Sequence, residues 1–356
     1  MSRPKVSQEF HLTVQWNSRL KGGNKLRYLT PYLIGDPWLI GPRPDLPTNM
    51  LKTNELGQPL HECVDHHLFQ DIDGIWHLWG CIRNLAIGRI LYHWSSNDLF
   101  SSDWVKTGEY FRIDQSHGES LRDWGEEEWI QSPYVVQNNG SYYMFYGGHS
   151  TGANSDGIDV ETDDFSVACQ MCLMKSKDGK EWVRHDDGKG LSRIFVGPGE
   201  TRDPCVIRYG NKWLMYFAGY HDEIRTNPGI YVRESVDLVD WSHWKLVHQD
   251  FQYGEGAWGH ECPFVIEKNG GYYLFRTEHY SSARTHVFHS LDPFNFGVGD
   301  ASSKYVGSIS VAAPEIITTG DGEELITSNH ELTTVSYTHL RAHETRHDLV
   351  CRLLLE

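Results

Sequence analysis

No stretch of this chain approaches the roughly 20 consecutive apolar residues that a membrane-spanning helix needs, so a membrane partner is not expected. The opening Met1-Ser2-Arg3-Pro4-Lys5 lacks the apolar core of a secretion signal, and the expectation is a cytoplasmic protein. Basic residues are in the minority: 32 Lys and Arg stand against 48 Asp and Glu, a net charge of −16. That balance argues against nucleic acid and anionic membrane surfaces as partners. Cysteine is sparse and scattered, at Cys63, Cys81, Cys169, Cys172, Cys205, Cys262 and Cys351, which does not read as a disulfide framework. Cys169 and Cys172 form a C-x-x-C, but residues three apart on a strand face opposite ways, so buried packing is expected there rather than a metal or redox pair. Long segments of 3.6-residue periodicity are also lacking, which disfavours an α/β architecture.

What the chain does have is aromatics, 13% of its residues, and a repeat. PYVVQNNGSYYMFYGG from Pro133 matches PCVIRYGNKWLMYFAG from Pro204, PFVIEKNGGYYLFRTE from Pro263 and PEIITTGDGEELITSN from Pro314. DHHLFQDIDGIWHLWG from Asp65 has the same shape, with His66 in the proline slot. Each copy is a short apolar strand, a turn rich in Gly, Asn or Asp, and a second strand heavy in aromatics, which is a hairpin signature. The copies are spaced by 67, 71, 59 and 51 residues, enough for about four strands each. Further strands read at Arg89–Trp94, Cys172–Ser176 and Ile230–Ser235, followed nearby by Trp104, Trp182 and Trp241. The fold expected is all-β, a five-bladed β-propeller over residues 61–334 with its fifth blade truncated at the C-terminus. Residues 1–60 form an N-terminal segment in which Tyr32-Leu33-Ile34 is expected to close the ring.

Residues 335–356 read differently. Reverse-translated, the stretch from Val335 matches the transposon-end adapter of a short-read sequencing kit, and Leu349–Glu356 matches the flow-cell adapter that follows it. Arg346, His347 and most of Asp348 fill the place of a sample index. The segment is therefore set aside as a non-native tail, and the helix-like spacing of His339, His343 and His347 is not taken as a metal site.

Three carboxylates open strands in the repeat register: Asp65 in Val64-Asp65-His66-His67, Asp203 in Thr201-Arg202-Asp203-Pro204, and Glu261 in His260-Glu261-Cys262-Pro263. In a propeller, acids so far apart in sequence converge at the mouth of one axis, and paired carboxyls flanking a bond are the apparatus of glycoside hydrolysis. Arg202-Asp203-Pro204 and Glu261-Cys262-Pro263 resemble motifs of glycoside hydrolase family 32, the invertases, levanases and fructanases. Asp73-Gly74 and Trp76-His77-Leu78 fall at matching offsets, and Trp129-Ile130-Gln131-Ser132 loosely resembles the family's Trp-Ser-Gly-Ser segment. The family's Asn-Asp-Pro-Asn-Gly is reduced here to Asp65 alone. The related family 43 arabinosidases and xylosidases share the propeller and the three acids; Cys262 tilts toward family 32, and the missing Pro-Asn-Gly tilts away.

The resemblance implies Asp65 as nucleophile or base, Asp203 as stabiliser of the transition state and Glu261 as general acid. The implied substrate is an oligosaccharide or polysaccharide with terminal furanosyl units, and no cofactor or metal is implied. Arg202, His66, His67, Trp129, Ser132 and His260 are the substrate-binding candidates. Each has a plainer reading: Asp-Pro as a turn, Arg-Asp as an ion pair, and the histidines as blade packing. The acidic stretch 156–164 could hold Ca²⁺ but lacks an EF-hand pattern, so a solvated loop is expected. A non-catalytic carbohydrate-binding propeller is the alternative from outside the enzymes.

Overall fold

The computed structural model describes residues 13–20, 27–34, 38–119, 127–148, 169–220, 228–253, 259–278, 280, 283–320 and 322–329. The acidic stretch 156–164, Cys351 and the tail 335–356 lie outside the described residues. No helix among those described is long and apolar enough to cross a membrane.

Two strands come first, β1 (Thr13–Leu20) and β2 (Arg27–Ile34). Then follow β3 (Glu62–Gln70), β4 (Trp76–Leu85), β5 (Gly88–Ser96) and β6 (Val105–Phe111), paired in that order as one antiparallel sheet. The second sheet orders β7 (Ile130–Asn138), β8 (Ser141–Gly148), β9 (Gln170–Ser176) and β10 (Val183–Arg184), with β11 (Arg193–Val196) also pairing to β9. The third holds β12 (Arg202–Tyr209), β13 (Lys212–Tyr220), β14 (Pro228–Ser235) and β15 (Lys245–His248). The fourth holds β16 (Glu261–Lys268), β17 (Gly271–Glu278), β18 (Arg284–Ser290) and β19 (Tyr305–Ile309). These four sheets are blades of a β-propeller. The remaining strands, β20 (Ile316–Thr318) and β21 (Glu324–Ile326), share a sheet with the first two in the order β2-β1-β21-β20.

Local chemistry sets these hairpins. Asn139-Gly140 joins β7 to β8 and Asn269-Gly270 joins β16 to β17, with all four residues at positive φ. A two-residue turn of that kind matches the right-handed twist of its strands, and Asn-Gly is the pair that adopts it most readily.

Alternation along each middle strand then builds the core. On β13, Leu214, Tyr216 and Ala218 pack toward β16 and β17, while Trp213, Met215 and Phe217 pack toward Phe145 and Leu173 of the preceding sheet. On β8, Met144 and Tyr146 meet Trp79 and Leu91 of the first sheet, and Phe145 turns the other way. Both faces of a blade are thus apolar, and the aromatic content of the sequence lies between blades. Leu325 joins the cluster around Trp94, and Ile326 joins the one around Phe275, so the β20–β21 sheet packs on both sides as well.

The N-terminal expectation needs one correction. The strand bonded to β21 is β1, through Thr13 and Leu325, and Tyr32–Ile34 lies in β2, one strand further out. Thr13–Leu20 reads TVQWNSRL, too polar over its second half to carry the apolar signature used elsewhere.

Candidate active site

Each inner strand is approached through a residue forced into the left-handed region: Asp65 (φ 48°), Ser132 (φ 53°), Asp203 (φ 59°), Cys262 (φ 47°) and Ala313 (φ 46°). Each stands directly before the proline slot of its repeat, and in β3, β7, β12 and β16 the pairing register slips at that point. A bulge of this kind re-aims a side chain. A non-glycine residue held there costs roughly 1–2 kcal/mol. Strain that recurs at the same place in every repeat points to a site that depends on it.

The re-aimed side chains meet. Ser132 Oγ lies 2.7 Å from Asp203 Oδ1 and 3.0 Å from Asp65 Oδ2. The Cys262 backbone N–H donates to Asp203 Oδ2 at 3.0 Å, and its Sγ is 3.6 Å from both Asp65 Oδ1 and Asp203 Oδ2. Tyr280 donates its hydroxyl to Asp65 Oδ1 and lies 2.7 Å from Cys262 Sγ. Ala313 lines the same cavity, as do Pro133, Pro204 and Pro263.

Glu261 belongs to this site but not to that ring. It stands one residue earlier in its repeat, where β12 has Arg202 and β7 has Gln131, and Cys262 takes the position equivalent to Asp65 and Asp203. Arg202 is buried between the acids, its Nη2 3.4 Å from Glu261 Oε1 and its Nε 3.5 Å from Asp203 Oδ2. Burial pushes the Glu261 carboxyl up to about 8, against the pull of Arg202 and with the charges of Asp203 and Asp65 adding to the rise. Asp203 is also raised, by burial first and then by Asp65, with Arg202, the Ser132 hydroxyl and the Cys262 N–H opposing. The geometry offers a protonated acid and an ionisable pair in one buried space, the arrangement that acid-assisted displacement at a carbon centre requires.

The other candidates fall in different places. Ser132 and Arg202 are at the centre. His66 lines the cavity, but its Nε2 is tied to Thr327 Oγ1 at 2.6 Å, and burial lowers its pKa. His67 is hydrogen-bonded to Glu315 Oε1 at 2.7 Å and packs on Tyr134. Trp129 donates to Gln131 at 3.0 Å, and the Arg89 guanidinium covers its ring at 3.7 Å. His260 turns away, accepting the Asp250 N–H at 3.0 Å and packing beside His248 and Phe251.

Tyr280 and Glu315 were not singled out in the sequence. Tyr280 sits between strands in no motif; Glu315 left a trace, as a carboxylate directly after the proline slot where other copies have Tyr134, Cys205 and Phe264. Among the described residues, Asp65, Asp203 and Cys262 form the one group close enough to share a metal ion. Burial and the neighbouring carboxylates push the Cys262 thiol well up, so an ion bound there would have to displace its proton. The Cys172 thiol is likewise raised by burial, consistent with packing.

The family model for the glycosyl hydrolases family 32 N-terminal domain matches residues 92–316. The match includes Asp203 and Glu261 and begins after Asp65, whose place rests on the geometry above. A probable sucrose-6-phosphate hydrolase of Psychromonas ingrahamii is 24% identical over 207 residues, 57% of this chain and 32% of that protein. The matched region thus spans about a third of that curated relative. Among solved structures, the family 32 β-fructofuranosidase of Bombyx mori superimposes with a TM-score of 0.50 at 16% identity, covering 74% of this chain and 53% of that one. A thermostable family-43 glycoside hydrolase gives a TM-score of 0.48 at 18% identity, covering 76% and 86%. At such identities the likeness is one of fold.

Proposed function

The chain belongs to family 32 of the glycosyl hydrolases, and from that premise we propose that it hydrolyses the bond to a terminal furanosyl unit, of β-fructosyl type, in an oligo- or polysaccharide. The observation behind this reading is the buried cluster of Asp65, Asp203 and Glu261 around Ser132 and Arg202. Glu261, protonated below about pH 8, donates to the leaving oxygen. Asp65 attacks the anomeric carbon or activates the water that does so. Asp203 hydrogen-bonds the sugar's hydroxyls, and these contacts tighten as positive charge develops on the ring. Arg202 holds the acid and the stabiliser in fixed relation.

The antiparallel sheet β2-β1-β21-β20 is read as the fifth blade. The left-handed Ala313 at its inner edge and the apolar packing on both its faces support this. One catalytic domain then runs over 61–334, with the N-terminal segment completing the ring. A family 43-like arabinosidase or xylosidase is the second reading. One observation favours it: His66 and His67, where family 32 has Pro-Asn, are engaged by Thr327 and Glu315 rather than offered to a sugar.

Hydrolysis of a panel of β-fructosides and α-arabinosides by the wild type, Asp65→Asn and Glu261→Gln tests both readings. On the active substrate each variant is expected to lose about 10²–10⁴-fold in kcat. Full activity of Asp65→Asn on every cleaved substrate would overturn the assignment, and binding of sugars without any cleavage would leave a non-catalytic propeller. NMR detection of the first-formed anomer distinguishes retention from inversion.

A further inference from the structure

Ser132 Oγ faces two carboxylate oxygens at hydrogen-bond distance, Asp203 Oδ1 at 2.7 Å and Asp65 Oδ2 at 3.0 Å. A serine hydroxyl has one proton to give. If both acids were ionised, one of these contacts would set an oxygen lone pair against an anionic oxygen with no hydrogen between them. The outer oxygens of the pair are supplied independently: Asp65 Oδ1 by the Tyr280 hydroxyl, and Asp203 Oδ2 by the Cys262 N–H. Among the described residues the inner oxygens have only Ser132, and its left-handed backbone at the head of β7 fixes where it points.

We propose that Asp65 and Asp203 hold one proton between them through Ser132 in the resting protein. Asp203 Oδ1–H donates to Ser132 Oγ, and Ser132 Oγ–H donates to Asp65 Oδ2, so that Asp65 is the ionised partner. The proton goes on Asp203 because its contact with Ser132 is the shorter. Burial and the Asp65 charge also raise Asp203; Ser132, which opposes that rise when it donates to an ionised Asp203, becomes the acceptor once the proton is there. A concerted shift of both hydrogens moves the proton to Asp65 and leaves the pair at one negative charge.

The surrounding charges fit this count. Facing the pair are His66 and the Cys63 thiol from β3, Arg83 and the Cys81 thiol from β4, Arg202 from β12, Glu261 and the Cys262 thiol from β16, and the Tyr280 phenol. Burial holds His66 toward its neutral form, and holds Cys262 and Tyr280 protonated. Arg83 is matched by Glu62 at 2.6 Å. With Glu261 protonated, Arg202 offsets the single charge of the pair in part, since it also faces the buried Glu200. Ser132 is therefore a positioning residue whose hydroxyl keeps one acid free to act as the anion while its neighbour stays neutral.

The catalytic meaning of this inference rests on the proposed reaction, but its test does not. Infrared difference spectroscopy on the Glu261→Gln protein removes the other protonated acid, so that the carboxylic C=O stretch reports the pair. At pH 6 to 7, well above the ordinary aspartate value near 4, the difference between this protein and its Asp203→Asn derivative is expected to contain one protonated carboxyl per chain. Ser132→Ala in the same background is expected to move the loss of that band to lower pH. Absence of the band at pH 6, or its survival unchanged in the Asp203→Asn derivative, would overturn the proposal. The band in the Glu261→Gln protein together with no glycosidase activity in the wild type would sink the reaction alone. An active chain without the band would sink the shared proton alone.

Discussion

Arg202 does two jobs with one guanidinium, and they pull against each other. Its charge lowers the proton affinity of Glu261, which burial has raised to about 8, while its reach to Asp203 fixes the spacing of the acids. In the proposed reaction the acid acts in its protonated form, so kcat/KM is expected to fall on the basic side with an apparent pKa near 8, and Glu261→Gln is expected to abolish that limb. In Arg202→Gln the opposing charge is gone, so the Glu261 pKa rises and the limb moves to higher pH, whatever the loss in rate. A limb that moved down instead would show Arg202 acting otherwise than by charge. At this scale the sequence was partly legible. Asp65 and Asp203 stood out because a residue before the proline slot recurs in each copy, and Glu261 through its motif. The equivalence of Cys262 to the aspartates was hidden by a one-residue offset, and Tyr280 by arriving from a connection with no pattern. His260 takes the packing role for the same reason: neighbouring residues at a bulge face different ways, and only Glu261 of that pair faces inward.

Among the elements, β3 and the segment leading into β20 are fastened by a carboxylate rather than by backbone pairing. Glu315 accepts from His67 Nδ1 at 2.7 Å and from the Leu68 N–H at 3.1 Å, and His66 reaches Thr327 at 2.6 Å. Leaving a buried donor or acceptor unsatisfied costs about 1–3 kcal/mol. Glu315→Ala, which strands both partners, is therefore expected to lower stability more than His67→Ala, and the double variant is expected to fall short of the sum. Denaturant titration of the four proteins measures this; strict additivity would show that the two side chains do not cooperate. The hairpins themselves were readable, because Asn-Gly turns and aromatic second strands are local signals. The pairing of β1 with β21 was not, since it links residues more than 300 apart and neither strand is strongly apolar.

Among the described residues of the whole molecule, the first three blades each give their two faces to two different apolar clusters, and the fourth shares one cluster with both the third and the β20–β21 sheet, so none can lose its packing alone. Calorimetry is accordingly expected to give a single cooperative transition with matching calorimetric and van't Hoff enthalpies, and two resolved transitions would contradict that coupling. The same repetition has a consequence for how such a site can change. The left-handed residue ahead of each proline slot presents one side chain to the axis from an equivalent backbone, so the floor of the cavity reads as a word of five letters, Asp-Ser-Asp-Cys-Ala. Because the backbone already bears the strain at all five, rewriting a letter asks for no new loop or strand. Ala313, the one letter with no polar atom in its side chain, is the place where a single codon could add a fifth functional group to that floor.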